Sequence, residues 1–164
     1  MEFDFELAFK NELEIIDKLN EYEIEIGVIS KNTKRKISVG ITNAELMYIH
    51  ENGSPLRNIP ARPVLDMTIS YTNKELLDDV INKCIDGALN KAWKQKDIEK
   101  ELKKLCIRME NYARNIIYSN DGRLAPNSPR VAARKKGNHP LFDTGQLARS
   151  ITCRLVNKNT RMVI

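Results

Sequence analysis

The sequence predicts an α+β fold, in which a small, mainly antiparallel sheet packs against long amphipathic helices. Apolar residues recur at helical spacing through residues 73–118, with charged residues on the opposite face. In two other stretches, residues 22–28 and 37–41, apolar and polar residues alternate as they do in half-buried strands. With 164 residues, the chain is expected to form a single domain over residues 1–164.

The first part of the chain is predicted to contain a helix, a hairpin and a second helix. The spacing of apolar residues predicts the first helix over residues 4–19. The stretches 22–28 and 37–41 are expected to pair as an antiparallel hairpin, with Glu on one polar face and Lys on the other. Thr42 and Glu45 form a capping-box pattern, which predicts the start of the second helix.

The long helical region is expected to be one kinked helix or two helices in series. A proline-rich loop over residues 54–63 and a short helical segment from Val64 to Ile69 precede it. Thr72 and Glu75 repeat the capping-box pattern, which predicts the start of this region. A break is expected near residues 95–97.

The end of the chain is predicted to hold a long basic loop at residues 119–143, followed by a short helix and a strand. Within the loop, Ser128 followed by proline predicts one or two helical turns. Asp143 is predicted to cap the short helix, with Gln146 at its third position. Alternation of apolar and polar residues predicts the last strand over residues 151–156.

Charge is distributed unevenly along the chain. Residues 1–25 carry nine acids and two bases, a balance of −7. Since the whole chain has a net charge of +5, the remaining residues carry +12. Either these charges lie on solvated faces, or the two regions bind partners of opposite charge.

Apolar runs and cysteines limit the class of protein further. No apolar run approaches the roughly 20 residues that span a bilayer, and the acidic first residues do not form a secretory signal. Cys84 and Cys106 lie on apolar helical faces, where we expect them to be small buried hydrophobic residues. The chain has three cysteines and no CxxC pair, so no structural disulfide is expected.

The sequence contains no strong candidate for a reaction centre or a metal site. His50 and Glu51 begin like the zinc motif HExxH, but Ser54 stands where the second histidine is needed. His139 is the only other histidine, which is too few for a multi-histidine site. No nucleophile-elbow or phosphate-loop pattern occurs. We therefore expect no enzyme activity, no metal and no cofactor.

The long loop contains a basic cluster, formed by Arg130, Arg134, Lys135 and Lys136. Three interpretations stay open: a solvated loop, a contact with DNA, and a contact with an acidic face of a neighbouring protein subunit. The DNA contact is the least favoured, because interleaved aromatic residues and base-reading motifs are missing. Residues 1–25 of an identical copy would offer the acidic face.

Five short strings follow one another between about Ile37 and Leu155. They are Val39-Gly40-Ile41, then Tyr48 to Gly53, then Ile59 to Val64, then Asn127-Ser128-Pro129 with the basic segment Arg134 to Gly137, and finally Pro140 to Leu147. In this order, the chain resembles the neck or tail-completion proteins of tailed bacteriophages and related contractile particles. Two features depart from that family. Val64 stands where the family has phenylalanine, and the acidic N-terminal helix is longer.

The resemblance implies a non-enzymatic structural virion protein, which forms a ring at the head–tail junction or at the end of the tail. It implies a homo-oligomer, either a hexamer or a dodecamer, that contacts other neck, connector or tail-tube proteins and no membrane. The protein would be found in the virion, and in the host cytoplasm during assembly. The alternative is a basic nucleic-acid-binding accessory protein in phage DNA packaging, whose DNA affinity would fall steeply with salt.

The residues expected to carry this role form two groups. The expected contact surface comprises Ile59, Pro60, Arg62, Pro63, Arg130, Arg134, Lys135 and Lys136. The expected structural residues are Gly53, Leu141, Asp143, Gly145, Gln146 and Leu147. Two prolines stiffen the first loop, so its docking would cost little ordering entropy. Arg62 is expected to offer a bidentate contact to a carboxylate of a neighbour.

Overall fold

The computed structural model describes residues 5–29, 40–90, 93–135 and 138–164, with side chains from Phe9 onward in the first range. Within these ranges the chain forms seven α-helices and one two-stranded antiparallel sheet, which confirms the α+β prediction. The elements are α1 Phe5–Asn20, β1 Tyr22–Gly27, α2 Asn43–Asn52, α3 Val64–Glu75, α4 Leu77–Asn90, α5 Gln95–Ser119, α6 Pro129–Arg134, α7 Gln146–Ser150 and β2 Thr152–Asn157, with a 3-10 turn at Pro55–Arg57.

The chain divides into two compact units, each assembled from separate segments. The first unit contains the described parts of residues 1–25, 71–107 and 154–164, and the second contains those of residues 26–70 and 108–153. Four elements, β1, β2, α3 and α5, contribute residues to both units.

In the first unit, α1 packs against α4 and the carboxyl-terminal strand neutralises part of the acidic strand β1. Arg154 forms an ion pair with Glu25 at 2.6 Å, and Arg161 forms one with Glu23 at 3.6 Å. The hydroxyl of Tyr22 donates to Glu99 at 2.9 Å, and burial raises the pKa of this tyrosine to about 12. The two glutamates of β1 therefore form ion pairs with arginines of the same chain.

The partner of β1 differs from the predicted hairpin. In the described residues, β1 pairs with β2, which comes from the end of the chain. Residues 37–39 of the predicted second strand lie outside the described residues, while Gly40 and Ile41 are not in a strand. The alternating pattern identified β1 correctly, but a strand pattern carries no information about a partner that is distant in sequence.

In the second unit, a single hydrophobic core joins helices from distant parts of the chain. The core comprises Met47, Val64, Ala113, Ile116, Ile117, Leu124, Leu147, Ala148 and Ile151. Ile26 of β1 and Val28 pack against its edge. Val64 is fully buried in this core.

One of the predicted helix starts is wrong. Thr72 and Glu75 do not cap a helix, because α3 continues through both of them to Glu75 and Thr72 is buried on its packed face. Tertiary packing has overridden a local signal here. The helical region then forms two helices in series, as one of the two alternatives predicted, with a break before Gln95 where Asp97 accepts from the Lys94 amide at 2.9 Å.

The capping box at the start of α2 forms as predicted. The Glu45 amide donates to the Thr42 hydroxyl at 3.2 Å, and the Thr42 amide donates to the Glu45 carboxylate at 2.8 Å. The hydrogen bond from the Thr42 backbone holds the pKa of Glu45 below its usual value. Two of the free amides at the start of the helix are thereby satisfied.

The predicted cap of the short helix α7 is a second correction. The helix begins at Gln146, and its N-cap is Gly145 rather than Asp143. Gly145 adopts φ of 74°, and no side chain caps this helix. The left-handed glycine moves the start of the helix two residues beyond the predicted position, which leaves Asp143 exposed.

Two substitutions test the helix caps: one at Thr42, which caps α2, and one at Asp143, which does not cap α7. Thr42→Ala should lower the free energy of unfolding by about 1 kcal/mol, because it removes a capping hydroxyl. Asp143→Ala should change it by no more than about 0.5 kcal/mol, since Asp143 caps nothing. Urea denaturation of both variants measures the difference. A larger loss for Asp143→Ala than for Thr42→Ala would contradict the observed helix starts.

Candidate functional site: a cleft built by the motif residues

The motif residues of the second unit line one cleft, with a volume of about 300 Å³. One wall consists of residues 58–60 after the 3-10 turn, and the facing wall consists of Ser128, Val131 and Lys135 in and around α6. Arg62 and Leu147 also line it. Four of the five sequence strings therefore contribute to one site, although they are spread over about 100 residues of sequence.

Arg62 is the centre of this site. Only 4% of its surface is exposed, and its guanidinium donates to the carbonyl oxygens of Ala125 at 2.7 Å and Pro126 at 2.8 Å. A third guanidinium nitrogen lies 3.2 Å from Nδ1 of His50. Since a guanidinium has no acceptor, this ring nitrogen must be the acceptor. Burial lowers the pKa of Arg62, although an arginine side chain still carries its charge at neutral pH.

The string Tyr48 to Gly53 supports the same centre through its backbone. The Arg62 amide donates to the His50 carbonyl at 2.6 Å, which joins the end of α2 to the proline-rich loop. Ser54 and Ile59 form an antiparallel bridge between the two arms of that loop. Gly53 has φ of 73°, and a Cβ atom there would lie 2.8 Å from the Ala61 amide nitrogen. Only glycine fits this approach.

Glu51 performs a role that sequence reasoning missed. Its two carboxylate oxygens accept from the amides of Leu65 at 3.1 Å and Asp66 at 2.8 Å, in the first turn of α3. A carboxylate at a helix N-terminus satisfies free amides and complements the helix dipole. The sequence indicates Glu51 only as part of an incomplete metal motif. The capping contact has no local sequence signal, because donor and acceptor are 14 and 15 residues apart.

The facing wall is stabilised by contacts within residues 127–142. Ser128 caps α6 by accepting from the Val131 amide, and Pro129 stands at the first helical position, as predicted. Asn127 donates to the His139 carbonyl at 3.1 Å, and Lys135 donates to the Phe142 carbonyl at 3.0 Å. These contacts order a large part of the predicted loop and position α6 beside the cleft.

The last string builds the floor of the cleft. Leu147 is buried in the core, and Leu141 is half-buried against it and adopts φ of 59°. Gly145 is buried, and a Cβ atom there would meet the guanidinium of Arg149 at 2.8 Å. Arg114 donates to the Ala148 carbonyl at 3.3 Å and to the Ile151 carbonyl at 3.0 Å, which supports the end of α7.

The expected contact residues are placed very differently from one another. Arg62 lies in the interior, so its role as a surface arginine that grips a carboxylate of a neighbour is corrected to an internal clamp. Pro60, Arg130 and Arg134 are exposed, and Ile59, Pro63 and Lys135 are half-buried. Lys136 lies outside the described residues. Of these residues, Ile59, Pro60, Arg62 and Lys135 line the cleft.

Cys84 and Cys106 belong to the first unit. Both are buried, as expected, and within the described residues neither forms a disulfide. Burial raises the pKa of the Cys84 thiol to about 11. Within the described residues, no group of three or more His, Cys, Asp or Glu could hold a metal ion. In the same part of the chain, no helix combines the length and apolar character needed to cross a membrane.

Comparison of the chain with protein-family models, with curated proteins and with solved structures gave no match.

Arg62→Ala should lower the free energy of unfolding by about 2–4 kcal/mol, because it leaves two carbonyls unpaired and empties a buried site. Arg62→Lys should also lower the free energy of unfolding, since the ammonium group of lysine cannot reproduce the planar arrangement of donors in a guanidinium. The matched control is Arg57→Ala, an exposed arginine on the same loop, which should stay within about 0.5 kcal/mol. Chemical denaturation measures all three. Wild-type stability in Arg62→Ala would contradict the clamp.

Proposed function

We propose that the protein is a structural virion protein, which forms a ring at the head–tail junction or at the tail end of a tailed bacteriophage or a related particle. The proposal rests on the resemblance of five ordered strings to neck and tail-completion proteins. Each copy would contact the next through two different surfaces, and such heterologous interfaces give a closed ring when their rotation closes. Its partners would be further copies of itself and other neck, connector or tail-tube proteins.

One observation supports this proposal more than any other. Strings that are far apart in sequence meet around Arg62, where Glu51, Gly53 and Asn127 each hold a backbone segment in place. The similarity in sequence thus corresponds to one local architecture rather than to scattered residues. A set of residues that fixes backbone geometry suits a subunit whose task is to present a defined surface to its neighbours.

Exposed apolar residues of the second unit are consistent with protein contacts. Leu56, at the tip of the proline-rich loop, is 99% exposed, and Tyr48 on α2 is also exposed. Large apolar side chains at such positions are typical of surfaces that other proteins cover. Prolines at positions 55 and 60 restrict the loop, so little conformational entropy would be lost when it docks.

A nucleic-acid-binding accessory role is the second candidate, and the exposure of Arg130 and Arg134 favours it. In the described part of the chain, neither arginine forms an ion pair. A protein that uses such residues on phosphates would lose DNA affinity steeply as salt rises. A ring subunit would show little DNA affinity at 150 mM salt, where the Debye length is about 8 Å.

Deletion of the coding sequence from the particle's genome is expected to leave heads and tails unjoined, or tails of abnormal length, because the ring that completes the junction or tail is missing. Negative-stain electron microscopy of lysates would detect this. Expression of the wild-type chain in trans should restore complete particles, and an affinity tag on it should be found at the neck or tail end. Complete, infectious particles without the protein would contradict the proposal.

A further inference from the structure

Helix α1 carries an apolar stripe that its own unit does not cover. Phe9, Leu13 and Ile16 are 56%, 47% and 41% exposed, and they follow the i, i+4, i+7 spacing of one helix face. Ile15, on the adjacent face, is buried in the first unit, where α1 packs on α4. The helix therefore has two apolar faces, one packed and one open, and the open one is a candidate contact surface.

The cleft beside α6 has the size and lining to receive such a stripe. Its 300 Å³ is about twice the roughly 150 Å³ cavity that holds one benzene molecule. Ile59, Pro60, Val131 and Leu147 supply apolar lining. The cleft could thus accept a phenylalanine ring and a neighbouring aliphatic side chain, in the manner of an amphipathic helix that lays its apolar face into a groove.

The charges around the two surfaces are opposite in sign. Residues 9–17 contain three acids and one base, whereas residues 123–135 contain four bases and no acid. Arg123 is already paired with Asp121 and Lys135 with backbone carbonyls, but Arg130 and Arg134 are exposed. Asp143 also lines the cleft and is the acidic residue there that opposes an acidic partner. The bases outnumber it, so the attraction between the two surfaces prevails.

We propose that the α1 stripe of one copy docks into the cleft of a second copy, with the acidic residues Glu12, Glu14 and Asp17 of α1 near the arginines of α6. The proposal rests on the ring assembly proposed above and gives a function to the unusually long acidic helix. The interface is heterologous, because the stripe and the cleft are different surfaces, so each copy offers one of each and can bind two neighbours.

Analytical ultracentrifugation of the full chain tests this docking. Leu13→Asp places a charge in the stripe, and Arg134→Glu reverses a charge beside the cleft. Each should weaken self-association by at least about tenfold. The matched control is Ile107→Asp, an exposed apolar residue on α5 outside both surfaces, which should associate like the wild type. Circular dichroism checks that each variant is folded. If Leu13→Asp unfolds, the self-association of Arg134→Glu alone tests the docking.

A mixture of the two variants gives the sharpest result. The Leu13→Asp copy retains its cleft and the Arg134→Glu copy retains its stripe, so an equimolar mixture should form a dimer and no larger species. The docking is overturned if both variants associate like the wild type, or if their mixture stays monomeric. Either result would still be compatible with a ring that forms through other surfaces. If the wild type is monomeric but still needs Leu13 to enter particles, the α1 stripe binds something other than a second copy of this chain, and the proposed docking is wrong. A wild type that is monomeric and absent from particles overturns both proposals.

Discussion

The burial of the Arg62 guanidinium is the interaction on which the rest of the second unit depends. A charged group leaves water at a large cost unless its donors find acceptors, and here the carbonyls of Ala125 and Pro126 provide two. The backbone of the same residue donates to His50. One side chain therefore joins α2, the proline-rich loop and the segment after α5. A displacement of any of these would leave a charge or a carbonyl unpaired, which confines the cleft to one geometry.

The residues around Arg62 act by fixing backbone. Glu51 satisfies the first turn of α3, Gly53 allows two arms of a loop to approach, and Asn127 holds the segment that leads to α7. Each contact joins separate segments of the backbone, so the geometry of one string depends on that of the others. Such a rigid support suits a subunit whose neighbours must meet it in a single orientation, because a preorganised surface loses little entropy when it binds.

Local signals in the sequence predicted local structure well. Alternation identified β1 and β2, and side-chain caps predicted the starts of α2 and α6, since each depends on residues a few positions apart. The same signals failed at Thr72, where packing of α3 prevailed, and at Asp143, where Gly145 moved the helix start. The strand partner of β1 and the burial of Arg62 depend on contacts between residues 60 or more positions apart, and a single sequence contains no direct signal for them.

The central claim is that Arg62 clamps the cleft from inside the second unit. Native-state hydrogen exchange of wild type and Arg62→Lys tests it most directly, because it reports local opening residue by residue. The account predicts faster exchange at the amides of Arg62 and of Val131 and Ala132 in α6, with a smaller change in α4 of the first unit. Unchanged protection at these three amides would contradict the clamp. So would an equal loss of protection throughout the chain, since that would indicate global destabilisation rather than opening of the cleft.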